Sequence, residues 1–179
     1  LLAREILPFK AAIKAGVSSI MTAHVVYPKL DASGLPATLS NSILSGILRE
    51  LLGFKGIVFS DALEMKAIYD RYAPEEIVRY AVNAGVDVLL PCSDYDFILQ
   101  LRDGLKKSVE AGIITEDRLV ESYMRLEKVR SDFNLYHSKL RSNIRISKCF
   151  GKHKQDLAAT ASKSITLVGA ASFIDFYRT

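Results

Sequence analysis

Cysteine and histidine are scarce: the 179 residues include two Cys, Cys92 and Cys149, and three His. Two thiols allow at most one disulfide, so the chain is no disulfide scaffold, and a Cys/His metal site has too few ligands. No uninterrupted apolar run approaches the roughly 18–20 residues that a membrane-spanning helix needs. Glycine and proline, at 10 and 5, are too few for a fibrous protein. Neither GxGxxG nor GxxxxGK[ST] occurs, which removes the usual phosphate cradles, and the GxSxG nucleophile elbow is missing as well. Nucleotide enzymes and α/β-hydrolases lose their support. An initiator Met is also missing, the chain opening Leu1-Leu2-Ala3-Arg4. We read it as part of a longer protein, so absent targeting signals say nothing about its compartment.

What is present is the balance of a soluble globular protein, 49% apolar and 25% charged. The net charge of +4 is unevenly placed. Six Lys/Arg and no acid lie between Asn134 and Gln155 (Lys139, Arg141, Arg145, Lys148, Lys152 and Lys154), and the other 157 residues sum to −2. Spaced lysines without an aromatic platform read as a solvated linker, so neither nucleic acid nor membrane is expected as a partner.

The chain alternates helical and apolar-strand patterns. Leu7–Gly16 reads as a short helix with Pro8 in its first turn and Gly16 just past its end. Ser18–His24 reads as a buried strand, and Val25–Ala37 as a loop. From an N-cap at Ser40, the positions Ile43, Leu44, Ile47, Leu48, Leu51 and Leu52 form one apolar helical stripe that ends at Gly53. Gly56–Asp61 is a second strand. Pro74 opens a helix closed by Gly85, with Glu75 and Glu76 at the positive end of its dipole. Val86–Pro91 is a third strand, followed by helices from Tyr95 to Ala111 and from a Thr115 cap to Asp132. Equivalent strand positions Ser18, Gly56 and Val86 lie 38 and 30 residues apart, the length of a strand plus its crossover helix in a parallel α/β sheet. Three such units make at most the last three of a (β/α)8 TIM-type barrel. Residues 1–133 are therefore expected to be carboxyl-terminal βα units of a barrel, 134–153 a basic linker, and 154–179 the start of a second α/β domain. That second domain would hold a helix over Lys154–Lys163 and a strand over Ser164–Val168. The outer strands of such a piece would expose unpaired backbone groups, so the rest of a parent chain, or a complementary chain, is needed to complete the barrel.

Each strand ends in polar residues: Thr22 and His24, Ser60 and Asp61, then Cys92, Ser93 and Asp94. In parallel sheets this end carries the chemistry. Asp61 is the leading candidate, either as a carboxylate facing the site mouth or as a helix N-cap for Ala62 onward. His24 reads as a hydrogen-bonded structural His or as a neighbour of substrate. Glu64, three residues past Asp61, reads as a loop or helix charge, since residues three apart in a turn point along one side. Cys92 reads as a small buried hydrophobe and Asp94 as a helix cap. Met65 is core filler or pocket lining.

The stretch Gly53-Phe54-Lys55-Gly56-Ile57-Val58-Phe59-Ser60-Asp61-Ala62-Leu63-Glu64-Met65 resembles the nucleophile signature of glycoside hydrolase family 3, in its β-N-acetylhexosaminidase (NagZ-like) branch. Ile20-Met21-Thr22-Ala23-His24-Val25, Pro36-Ala37-Thr38-Leu39-Ser40 and Asn83-Ala84-Gly85-Val86-Asp87-Val88-Leu89-Leu90 match in the family's order. The resemblance covers about residues 7–133, and more loosely 157–168, where Ala161-Ser162-Lys163-Ser164-Ile165-Thr166-Leu167-Val168 resembles the opening of the family's second domain. It implies a retaining glycosidase that removes terminal β-linked N-acetylglucosamine from muropeptides or chitin-derived sugars, with Asp61 as nucleophile and no cofactor or metal. His24 and Met65 become candidates for the substrate pocket, and Ser60 with the N–H groups after Asp61 candidates to stabilise its ionised form. The branch's acid/base His sits in a Lys-His-Phe-Pro-Gly-His-Gly type stretch, which this chain lacks, so the chain alone is expected to be inactive. A family 3 β-glucosidase or β-xylosidase is one alternative, although glucosidases often place an aromatic after the nucleophile. A non-catalytic sugar-binding half-barrel subunit is another.

Overall fold

A computed structural model describes residues 4–135 and 146–164. The chain forms two compact units, Leu1–Tyr136 and His137–Thr179. In the first, the order is α1 (Leu7–Lys14), β1 (Ser19–Met21), a 3₁₀ turn (Ala37–Leu39), a π-helix (Ser42–Leu51), β2 (Ile57–Ala62), α2 (Lys66–Tyr69), α3 (Pro74–Ala84), β3 (Val88–Leu90), α4 (Tyr95–Glu110) and α5 (Glu116–Asp132). The strands form one parallel sheet in the order β1-β2-β3. This is the expected α/β architecture of crossover-linked parallel strands, and it fits part of a (β/α)8 barrel.

Local chemistry explains most boundaries. Pro8 stands in the first turn of α1, and Gly16 follows the helix at φ +84°. Gly85 closes α3 at φ +119°, a conformation that L side chains avoid. The Thr115 hydroxyl accepts from Arg118 N at 3.2 Å and opens α5. Two local features depart from expectation. The segment after Ser40 is wound with π rather than α hydrogen bonding, as in Leu52 N to Ile47 O at 2.9 Å. The looser winding keeps Leu44 and Leu48 in the core but turns Leu51 out to 64% exposure. A short helix, α2, also follows the Asp61 loop where none was expected.

The core lies between the sheet and its helices, where Val58, Leu63, Ile68, Ile77, Val78 and Ala81 are fully buried. The amino-terminal side of β3 holds a buried charge cluster. Asp87, with no exposed side-chain surface, takes Arg49 Nη2 (2.6 Å) and Val58 N (2.9 Å) on Oδ2. Its Oδ1 takes Ser122 Oγ (2.7 Å), Arg125 Nη1 (2.8 Å) and Arg118 Nη2 (3.4 Å). The π-helix, β2, β3 and α5 are thereby tied to one carboxylate. The surplus positive charge does not go unsatisfied, since Arg49 also donates to the carbonyls of Phe54 and Gly56, and Arg118 to those of Val82 and Val86. Burial pushes the Asp87 carboxyl upward, but the Val58 N–H, the Ser122 hydroxyl and the guanidiniums of Arg49 and Arg125 outweigh it and hold it below its ordinary value of 3.8.

In the second unit, helix α6 spans Ile146–Ser164. It begins before the expected Lys154 and runs through Gly151, because one glycine costs about 1 kcal/mol in a helix, too little to stop one supported on both sides. Ser164, the first residue of the strand expected over Ser164–Val168, is instead the last residue of α6, while residues 165–168 lie outside the described residues, as do Lys139, Arg141 and Arg145 of the basic segment.

Replacing Asp87 by Ala leaves three arginines around an emptied site and is expected to destabilise the first unit by about 3–5 kcal/mol, read by urea or thermal unfolding. A carboxyl held below its unfolded value contributes stability that is fully present above pH 3.8 and lost as pH falls through the lower folded value. Asp87→Asn should remove that part of the acid dependence.

Candidate active site

The carboxyl ends of β1, β2 and β3 lie side by side, and the pairing there is irregular. Phe59 is opposite Val88 and Ala62 is opposite Leu90, so three residue steps on β2 oppose two on β3. The extra residue is a bulge at Ser60–Asp61. Bulges re-aim side chains and recur beside active sites. Ser60, fully buried, accepts from Leu90 N through its hydroxyl at 2.8 Å, so a side chain replaces the ladder bond that the bulge removes. Asp61 is half-buried, and its Oδ1 accepts from the N–H of Ala62 at 2.8 Å. Of the two readings of Asp61, helix capping loses: the residue lies within β2, and the helix that follows starts at Lys66.

His24 is 9% exposed and uses both ring nitrogens: Nδ1 lies 2.8 Å from Thr38 Oγ1 and Nε2 lies 3.0 Å from the carbonyl oxygen of Ala62. Thr38 Oγ1 is in turn 2.8 Å from Thr22 Oγ1. The ring is therefore beside the Asp61 loop, with both nitrogens engaged by protein groups. Met65, 45% exposed, precedes α2 at the rim of the same loop.

Glu64 does more than its expected part as a loop charge. Its Oε1 takes the N–H groups of Cys92 (2.5 Å), Ser93 (2.8 Å) and Asp94 (3.4 Å), fastening the β2 loop to the β3 loop. Its Oε2 is buried with no hydrogen-bond partner among the described residues. Burial raises the Glu64 carboxyl, but the N–H groups of Ser93 and Cys92 outweigh it and hold it below its ordinary 4.5. Cys92, expected to be buried, is exposed, because its N–H rather than its thiol faces Glu64. Asp94 caps α4 as expected, accepting from Phe97 N at 3.1 Å. Of the donors foreseen for Asp61, the Ala62 N–H is in place, whereas Ser60 serves Leu90. The sequence offered one sign of the Glu64 role: a carboxylate in the turn after one strand, with a short polar turn after the next.

Among the described residues no group of three or more His, Cys, Asp or Glu is arranged to hold a metal ion. No described helix is long and apolar enough to cross a membrane.

Residues 1–129 match the family model described as glycosyl hydrolase family 3 N terminal domain. A beta-hexosaminidase of Neisseria gonorrhoeae is 39% identical over 102 residues, covering 57% of this chain and 28% of the relative. A beta-hexosaminidase of Vibrio cholerae is 43% identical over 105 residues, 58% of this chain and 31% of the relative. The solved glycoside hydrolase family 3 beta-N-acetylglucosaminidase of Paenibacillus sp. superposes with a TM-score of 0.73 at 38% identity, covering 78% of this chain and 27% of that one. The beta-N-acetylglucosaminidase of Thermotoga maritima gives 0.65 at 38% identity, covering 71% and 28%. The chain thus spans less than a third of the length of these relatives.

Removing the Glu64 carboxylate by Glu64→Ala should lower the amide-exchange protection of Cys92 and Ser93 by roughly tenfold or more, the loss of a charge-assisted hydrogen bond. In the unaltered chain that protection should persist above pH 4.5 and fall as pH drops below it, because a carboxyl held below its ordinary value gives up its contribution on protonation. Unchanged exchange in the variant would contradict the clamp.

Proposed function

Because the chain belongs to glycosyl hydrolase family 3, we propose that it carries the nucleophile of a retaining β-N-acetylglucosaminidase. The substrates are terminal β-linked N-acetylglucosamine residues of muropeptides or chitin-derived sugars. The observation that carries this reading is the placement of Asp61 in a bulge at the carboxyl end of the middle strand of a parallel sheet. The names of the relatives support the choice of sugar.

In the first step an Asp61 carboxylate oxygen forms a bond to the anomeric carbon. The glycosidic C–O bond breaks, its electron pair goes to the leaving oxygen, and a general acid protonates that oxygen. In the second, water attacks the same carbon, the conjugate base of that acid takes its proton, and the Asp61 carboxylate is released. The two ionisable groups bonded into the Asp61 loop are poorly placed as that acid: both His24 nitrogens are engaged, and Glu64 is gripped by N–H groups on the β3 side. As the family resemblance implies, the acid/base group would come from another part of a longer protein or from a complementary chain. The same element would complete the sheet, since β1 and β3 each have one strand neighbour among the described residues. Met65 would line the sugar pocket.

The test uses the natural-length protein with a chromogenic N-acetyl-β-glucosaminide and the matching β-glucoside. Asp61→Ala should lower kcat on the N-acetyl sugar by about a thousandfold or more. Added azide should then restore turnover and give the α-glycosyl azide, because the small anion attacks from the side that Asp61 vacates. Turnover of the glucoside instead would keep Asp61 and move the substrate. Sugar binding without turnover of either would leave a binding subunit.

A further inference from the structure

The bulge leaves the strand ladder unable to fix Asp61 by itself, and one peptide plane beyond it is pinned on both sides. The Ala62–Leu63 peptide donates its N–H to the Leu90 carbonyl at 3.1 Å, from the β3 side. Its carbonyl oxygen meets His24 Nε2 at 3.0 Å, from the β1 side, and also accepts from Met65 N at 3.1 Å. The Asp61 carboxylate leans on the preceding peptide, through the N–H of Ala62. Only the two backbone dihedrals of Ala62 separate the peptide that His24 holds from the N–H that aims the carboxylate.

Hydrogen-bond bookkeeping assigns the protons. A carbonyl oxygen only accepts, so His24 Nε2 carries hydrogen. In the neutral ring Nδ1 is then an acceptor, and Thr38 donates to it. Having spent its proton there, Thr38 accepts from the Thr22 hydroxyl. The relay runs Thr22 to Thr38 to His24 to the Ala62 carbonyl in one direction, with Thr38 fully buried and Thr22 and His24 each 9% exposed. The other neutral tautomer would set a nitrogen lone pair against the carbonyl oxygen.

We propose that His24, locked as its Nε2–H tautomer by Thr38 and Thr22, is a positioning residue that aims the Asp61 carboxylate from the β1 side. It acts through the Ala62 carbonyl without touching the sugar. The proposal rests on the reading of Asp61 as nucleophile and deepens it.

Three substitutions separate positioning from substrate contact, measured in the natural-length protein beside Asp61→Ala. Gln carries an amide N–H at the reach of Nε2, whereas Asn reaches only as far as Nδ1. His24→Ala and His24→Asn should lower kcat by about 10–100-fold, the cost of a misaimed group, with KM within about a factor of two. His24→Gln should recover most of that loss. In the unaltered protein, imidazole ¹⁵N shifts should show hydrogen on Nε2 of His24 and a bare Nδ1, a result that needs no variant to fold. A rise in KM with kcat intact would overturn the proposal, as would a Gln variant no better than Ala or hydrogen on Nδ1 alone. If Asp61→Ala stays active, the nucleophile reading fails and the proposal fails with it. If Asp61→Ala is dead and the His24 variants match the unaltered protein, only the proposal fails.

Discussion

Where β2 passes the end of β3 it carries one residue too many for the ladder, and the groups around Ser60–Asp61 supply what the missing pairing would have given. Ser60 substitutes a hydroxyl for a backbone acceptor, Leu90 holds the N–H of Leu63, and His24 holds the carbonyl of Ala62. Glu64 then ties the following turn to three consecutive N–H groups after β3. A regular ladder would send consecutive side chains to opposite faces and leave none aimed along the strand axis. The bulge breaks that alternation at Ser60–Asp61, and four tethers hold the backbone around it. A reacting group must be held to within fractions of an ångström, so under the proposed function such tethers would serve catalysis as well as folding.

The two ends of the sheet solve opposite electrostatic problems. On the amino-terminal side, Asp87 is fully buried and neutralised by the guanidiniums of Arg49, Arg118 and Arg125, with further carbonyls absorbing the remaining donors. That carboxylate has no spare capacity and ties elements together. At the carboxyl end, Asp61 has one short internal hydrogen bond and stays half-buried, so an oxygen remains for chemistry. The sheet thus holds one carboxylate with every lone pair engaged and one left partly open, and the proposed function uses the second.

Much of the frame is legible in the sequence because it depends on local rules. Pro8, Gly16, Gly85, Asp94 and Thr115 act within a turn of where they stand, and the spacing of apolar runs sets the crossovers. Asp61 stood out because it ends an apolar strand. What was not legible depends on contacts across tens of residues. Nothing near His24 in the chain announces that its partners are Thr38 and the Ala62 carbonyl, and the turn after each strand hints at the link from Glu64 to residues 92–94 without fixing it. Asp87 stands in the apolar run Val86–Pro91, where an acidic residue must find cations, but the sequence analysis did not single it out, and which arginines converge on it depends on how the π-helix and α5 pack. The π winding left no mark on the apolar stripe, since Leu44 and Leu48 suit either helix and only Leu51 tells them apart.

The proposed function requires Asp61 to form the covalent bond to the sugar. The direct measurement is to trap that species in the natural-length protein with an activated 5-fluoro analogue of N-acetyl-β-glucosaminide, whose fluorine slows hydrolysis of the glycosyl-enzyme. Tandem mass spectrometry of the digested protein then locates the added sugar. The account predicts one adduct, on Asp61 in the peptide that contains Ser60-Asp61-Ala62. An adduct on a different carboxylate, or turnover with inversion at the anomeric carbon and no adduct, would contradict it.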